Sequence, residues 1–289
     1  MPVIVVHGGA GKLKNIKEHQ IGIRKALEIG WAVLKENGNA LNAVLESVQY
    51  MENSGIFNCG RGAVLTLDGK VELDASVMTD DGKFGAVGAV RGVKNPVLLA
   101  YKVMEETDHL LLVGPGARDF AYKFGFKRYY KINPHQKKRW EQLIKNGVSQ
   151  YFPKLKMHLK FGTVGAVALD SASRIAVANS TGGIIGKLSG RIGDTPIIGA
   201  GIYANFYGGV CATGHGEGIM RLFLSKYVAD LMVKFTAQTA IKRGINLAKK
   251  NNVLCGIIGI DRKGNIGIGY NTESMSWGYI KNGNLKIFQ

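Results

Sequence analysis

Cysteine is scarce in this chain, and acids are in short supply. The three cysteines, Cys59, Cys211 and Cys255, lie far apart and form no CxxC pair. That spacing supports neither a disulfide framework nor a structural zinc site. No window approaches the roughly 18 consecutive apolar residues of a membrane span. The opening Met1-Pro2-Val3-Ile4-Val5-Val6-His7 has no basic flank, and its apolar run is too short for a secretory signal. A reducing cytoplasm is the compartment these features predict. No GxSxG elbow occurs anywhere, so His7-Gly8-Gly9 is not the oxyanion loop of a lipase-type hydrolase. His215-Gly216-Glu217 has the H-x-E of zinc deaminases, but the Pro-Cys-x-x-Cys that should follow is missing. Gly182–Lys187 is one residue short of phosphate-loop spacing, and Leu188 follows the lysine.

Asp and Glu number 21 against 38 Lys and Arg, for a formal net charge of +17. Much of that excess is local. Residues 127–160 hold ten Lys or Arg against the single acid Glu141, with Tyr129, Tyr130, Trp140, Tyr151 and Phe152 interleaved. Some nucleic-acid-binding segments look like this. A solvated basic linker accounts for the pattern as well, and its position just before Gly162 favours that reading, because exposed segments are where chains are nicked. Nucleic acid is therefore not the expected partner, and no membrane contact is expected.

Glycine is what the chain has in plenty. Its 40 glycines are nearly twice the ordinary share of about 7%. They cluster in short motifs without a regular repeat, as turns and close backbone approaches require. Hydrophobic residues make up 46% and charged residues 20%, enough to bury a sizeable core in one domain spanning 1–289. Apolar spacing predicts a strand over 2–7 and helices over 16–35 and 40–51. Short β-rich runs follow at 63–67, 71–78 and 84–92, punctuated by Asp68-Gly69 and Asp80-Asp81-Gly82. Pro96 opens a helix to about 106, and 109–113 reads as a strand. Beyond the basic segment come strands at 163–169 and 174–179 and alternation from 197 to 213. Helices at about 217–232 and 236–250 follow, then strands near 254–260, 265–270 and 278–283. Hairpin-linked strands flanked by helix pairs argue for an α+β fold with an antiparallel-rich sheet system, not a doubly wound βαβ fold.

The chemistry concentrates at Gly162-Thr163-Val164-Gly165-Ala166-Val167-Ala168-Leu169-Asp170. A threonine hydroxyl inside a continuous chain is a weak nucleophile. Scission of the Gly162–Thr163 bond would give Thr163 a free α-amine beside that hydroxyl, placing nucleophile and base on one residue. Asn179-Ser180-Thr181-Gly182-Gly183, Gly190-Arg191-Ile192-Gly193-Asp194-Thr195-Pro196 and Ala212-Thr213-Gly214-His215-Gly216-Glu217-Gly218 come next, and His7-Gly8-Gly9-Ala10-Gly11 stands near the start. In wording and order these blocks resemble the plant-type L-asparaginase/isoaspartyl peptidase family of N-terminal-nucleophile hydrolases, through most of the chain.

That resemblance implies an αββα four-layer sandwich and self-cleavage into an α chain, 1–162, and a β chain, 163–289. It implies an amidohydrolase acting on L-asparagine and β-aspartyl dipeptides, working as a homodimer of processed units. Thr163 would be the nucleophile and Thr181 its hydrogen-bonding neighbour. Arg191 would clamp the substrate α-carboxylate and Asp194 its α-ammonium, while Thr213 and Gly214 would form the oxyanion site. Asn58, Gly9 and Gly11 would support the nucleophile region. No organic cofactor is implied. A structural sodium ion on the backbone carbonyls of Met51, Glu52, Ser54, Phe57, Cys59 and Arg61 is, although Cys59 and Arg61 depart from the residues expected there. A glycosylasparaginase shares the nucleophile logic but acts on sugar-linked asparagine. An uncleaved pseudoenzyme or binding protein is the alternative from another class, and an intact single chain would mark it.

Overall fold

From the N-terminus the chain forms β1 (Val3–Gly11), α1 (Ile16–Lys35) and α2 (Ala40–Ser54), then a single 3₁₀ turn at Gly60–Gly62. β2 (Leu73–Thr79), β3 (Phe84–Val90), α3 (Pro96–Glu106), β4 (Leu111–Val113), α4 (Gly114–Lys123) and α5 (Pro134–Lys145) complete the first half. The second half runs β5 (Thr163–Leu169), β6 (Ile175–Thr181), β7 (Ile202–Asn205), β8 (Gly208–Gly214), α6 (Gly216–Leu222), α7 (Leu224–Leu231) and α8 (Ala237–Lys250). β9 (Cys255–Asp261), β10 (Ile266–Tyr270), β11 (Ser274–Lys281) and β12 (Asn284–Ile287) close it. This computed structural model describes residues 1–13, 15–145 and 162–289.

Two sheets form, one of eight strands in the order β12-β11-β1-β5-β6-β2-β3-β4 and one of four in the order β10-β9-β8-β7. Among these named strands every pairing is antiparallel except β3 with β4. The central strands of the large sheet are apolar on both faces, and period-2 alternation decides where each residue goes. Ile4, Val6, Ala166, Ala168, Ala176 and Ala178 pack with residues of α1, α2 and α3. Val3, Val5, Val167, Leu169, Ile175 and Val177 pack with Ile202, Cys211, Ile258 and Ile260 of the small sheet. The small sheet's other face, with Val210, Ala212 and Ile257, is covered by Ile219, Leu224, Val228, Ala240 and Ile241 of α6, α7 and α8.

Three local expectations need correction. Residues 63–67 form no strand, although 63–66 are buried. Their polar backbone is satisfied irregularly: Val64 N donates to Asn58 Oδ1, and Leu65 O accepts from Gly186 N. The helix expected over 217–232 is two helices, broken at Phe223, whose φ of 44° is left-handed. Inside the segment expected to be a solvated linker, residues 134–145 form α5, which buries Gln136 and bonds its Nε2 to Gly62 O at 3.1 Å. Trp140 Nε1 donates to Leu67 O at 3.3 Å, so this helix is docked. Residues 146–160 of that segment lie outside the described residues.

Candidate active site

Thr163 is the first residue of β5 and stands directly across the ladder from Thr181, the last residue of β6. Its Oγ1 donates to Thr181 Oγ1 at 3.3 Å. Thr181 Oγ1 in turn donates to the carbonyl oxygen of Gly162 at 3.2 Å and accepts from Gly183 N at 3.0 Å. A short chain of hydroxyls thus leads from the Thr163 side chain to the peptide carbonyl just before it.

Asn58 fixes the neighbouring turn. Its Nδ2 donates to Gly183 O at 2.7 Å, its Oδ1 accepts from Val64 N at 2.9 Å, and its backbone O accepts from Gly182 N at 3.0 Å. Gly9, with φ of 108°, brings β1 against the same peptide: a Cβ there would lie 2.9 Å from Gly162 Cα. Only glycine meets both demands, the positive φ and the close approach. Gly11 sits farther along β1, where its carbonyl accepts from Ser274 Oγ at 2.6 Å, and it is not part of the recess.

The loop following β6 supplies the second wall, anchored from β2 and the residue before it. Glu72 Oε2 accepts from Gly190 N at 2.9 Å, and Ser76 Oγ donates to Thr195 O. Lys187 Nζ lies 3.8 Å from Asp74 Oδ2, both side chains almost wholly buried. Burial pushes Asp74 above the usual carboxylate range and Lys187 below the usual ammonium range, although each charge opposes that drift in the other.

Gly162, Thr163, Thr181, Arg191, Asp194 and Gly214 line one open recess, with Gly183, Ile184 and Gly193 between them. Asp194 is buried there, and its Oδ2 has no hydrogen-bond partner among the described residues. Burial raises its carboxyl to about 7, against the pull of Arg191 toward ionisation. Arg191 Nε and Nη2 both reach Glu217 Oε1, at 2.9 and 2.8 Å. Thr213, one residue before Gly214 in β8, is fully buried, and its Oγ1 likewise has no partner among the described residues. Such hydroxyls usually bond when buried, so this one is a donor in reserve.

The structure therefore gathers Thr163, Thr181, Arg191, Asp194 and Gly214 around one space, with Asn58 and Gly9 behind them. Sequence reasoning missed Glu217, which it met only as part of a failed metal motif. A carboxylate three residues after Gly214, in the first turn of a helix, was the available signal. It named Glu52 only for its backbone carbonyl and missed the side chain, fully buried in α2, whose Oε1 accepts from Ser180 Oγ at 2.7 Å and Val97 N at 3.0 Å. Asn95 Nδ2 donates to its Oε2 at 3.0 Å. Burial pushes the Glu52 carboxyl up to about 8. His7, also fully buried beside Asn179, is held near 3 by burial and is neutral.

The loop expected to hold sodium has chemistry that suits an alkali cation. Backbone oxygens of Glu52, Gly55 and Phe57 border the spaces that side chains at Gly60 and Gly62 would fill. Some carbonyls have internal partners: Met51 O accepts from Ser54 Oγ at 2.8 Å, Phe57 O from Cys59 N at 2.8 Å and Cys59 O from Gly62 N at 2.9 Å. The exposed Arg61 turns its Nη1 to Asn53 O at 3.2 Å.

Comparison with known proteins places this geometry in context. The family model described as asparaginase matches residues 1–288. The chain is 46% identical to a plant-type L-asparaginase of Thermococcus kodakarensis, over 98% of this chain and 97% of that one. It is 41% identical to an isoaspartyl peptidase/L-asparaginase of Danio rerio, over 99% and 94% of the two chains. A plant-type L-asparaginase of Pyrobaculum calidifontis is 39% identical over 99% of each.

Proposed function

The chain belongs to the asparaginase family, and from that premise we propose that it is a self-processing threonine amidohydrolase. It hydrolyses L-asparagine to L-aspartate and ammonia and cleaves β-aspartyl peptides. The observation that carries the mechanism is the hydroxyl chain from Thr163 through Thr181 to Gly162 O.

In the uncut chain the Thr163 hydroxyl adds to the Gly162 carbonyl carbon while Thr181 polarises its oxygen. The carbon–nitrogen bond breaks, nitrogen takes the hydroxyl proton, and an ester joins Gly162 to Thr163. Water hydrolyses that ester, leaving a Gly162 carboxylate, the Thr163 hydroxyl and a free α-amine. Such an amine titrates near about 8 and can serve as a base at neutral pH.

The amine takes the proton of its own hydroxyl, and the oxygen attacks the side-chain amide carbon of the substrate. Arg191 meets the α-carboxylate and Asp194 the α-ammonium. Thr213 Oγ1 and Gly214 N–H face the developing oxyanion; losing one such donor costs on the order of 3 kcal/mol of barrier. The protonated amine returns its proton to the leaving nitrogen, which departs as ammonia or as a peptide amine. Water then clears the acyl-threonine.

The two sheets and their helical covers correspond to the αββα arrangement in this reading, and two processed units pair as a homodimer in the cytoplasm. The three cysteines, all unpaired and buried, suit that compartment. An alkali cation on the carbonyls of Met51, Glu52, Ser54, Phe57, Cys59 and Arg61 would brace the loop that carries Asn58. It would contribute charge compensation to those oxygens and takes no part in bond making.

Ammonia release from asparagine and amine release from a β-aspartyl dipeptide test the reading. Thr163→Ala should abolish both, by at least about a thousandfold. Retention of ordinary turnover by that variant would overturn it.

A further inference from the structure

The cation of the head-group site is held by an anion that the substrate never needs. Glu217 lies in the first turn of α6, where a carboxylate is favoured by the helix's own field. It takes Nε and Nη2 of Arg191 on a single oxygen, Oε1. The other oxygen, Oε2, lies 3.6 Å from His215 Nε2. Arg191 is only 17% exposed and Glu217 38%. Burial works against the charge of Glu217, but Arg191 beside it holds the carboxyl below its ordinary range.

Asp194 follows Arg191 by three residues and lines the same recess, yet the ion pair of Arg191 runs to Glu217. The remaining guanidinium nitrogen, Nη1, lies over Gly193, where a Cβ would come within 2.8 Å of it. Gly216 does the same for the other two groups: a Cβ there would lie 2.8 Å from Asp194 Oδ1 and 3.0 Å from Arg191 Nη2. Both glycines therefore leave the recognition groups uncovered.

We propose that Glu217 is a positioning residue for substrate recognition: it anchors Arg191 and keeps that guanidinium from collapsing onto Asp194. Nη1 is thereby reserved for the α-carboxylate and Asp194 for the α-ammonium. Without the anchor, Asp194 lines the same recess and already feels the Arg191 charge, and a pair between them would consume both halves of the clamp. The inference rests on reading Arg191 and Asp194 as the head-group site.

The test is steady-state kinetics of the self-cleaved Glu217→Gln enzyme on asparagine and a β-aspartyl dipeptide, over a range of pH. KM should rise by about tenfold or more for both substrates with kcat changed by less than about threefold. Glutamine offers an acceptor but no charge, so a second readout follows. Asp194 is faced by Arg191 of its own loop, Asp74 of β2, Thr163 of β5, Glu217 of α6 and Cys255 of β9. Removing one anion from that set should move the acid limb of kcat/KM to lower pH, which a merely structural loss would not do.

Glu217→Asp should leave that limb in place while still raising KM, and it serves if the glutamine variant fails to mature. Unchanged KM together with an unmoved acid limb in Glu217→Gln would overturn the proposal. So would a shifted limb in Glu217→Asp. Arg191→Ala separates the two layers. If it raises KM while Glu217→Gln does not, only the positioning role falls; if it leaves KM unchanged, the head-group reading itself falls.

Discussion

A threonine hydroxyl is a poor nucleophile at neutral pH, and among the described residues nothing beside Thr163 is a strong base. Thr181 can pass a proton along but cannot keep it. Activation has to come from a new ionisable group, and the proposed scission at Gly162 would create one on the same residue. Asp194 sets the other pH dependence. Its carboxyl is raised to about 7, burial outweighing Arg191, so it carries its charge only as pH rises through that value. In the proposed head-group site, binding of the α-ammonium needs the anion. KM for asparagine should therefore fall by about tenfold for each unit of acidity removed below pH about 7 and level off above it. Asp194→Asn should bind weakly and show no such slope, as initial rates across pH would reveal. The residues legible in the sequence were those in contiguous motifs: Thr163, Thr181, Arg191, Asp194 and Gly214. Glu217, Glu52 and the anchors Glu72 and Ser76 were not legible, because each meets its partner across a distance in sequence that no periodicity encodes.

Elements were legible where one periodicity ruled a whole segment. β1, β5 and β6 read as short apolar runs, α1 and α8 repeat at helical spacing, and Asp80-Asp81-Gly82 turns β2 into β3 as its residues demand. Segments 63–67 and 217–232 misled for physical reasons. The first is as apolar as a strand, but its backbone bonds to the loop after β6; the second keeps helical spacing across a left-handed residue. α5 was hidden because its charge reads as solvated, while two side chains, Gln136 and Trp140, dock it. Between elements, Glu52 joins α2 to the start of α3 and to the end of β6 through Val97 N, Asn95 Nδ2 and Ser180 Oγ. Glu52→Ala strands those donors and should lower unfolding free energy by about 3 kcal/mol. Urea denaturation in the uncut Thr163→Ala background would measure it. Because burial lifts this carboxyl to about 8, the folded state binds its proton more tightly than the unfolded chain. Its contribution to stability is complete at acid pH and is lost as pH rises through about 8; Glu52→Gln should remove that part of the slope.

At the scale of the molecule, the proposed cut falls between strands that must stay together. Residues 1–162 supply β1 to β4, and 163–289 supply the rest, yet in the large sheet β1 lies between β11 and β5, and β6 lies beside β2. Strands of the two pieces interleave, and both faces of the sheet are packed. The halves should therefore co-elute in native buffer and separate only in denaturant. Intact-mass spectrometry of an active preparation, run under denaturing conditions, reaches the central claim most directly. Two species are expected, one ending at Gly162 and one beginning at Thr163. A single species of the whole 289-residue chain, in material that hydrolyses asparagine at its full rate, would contradict the account.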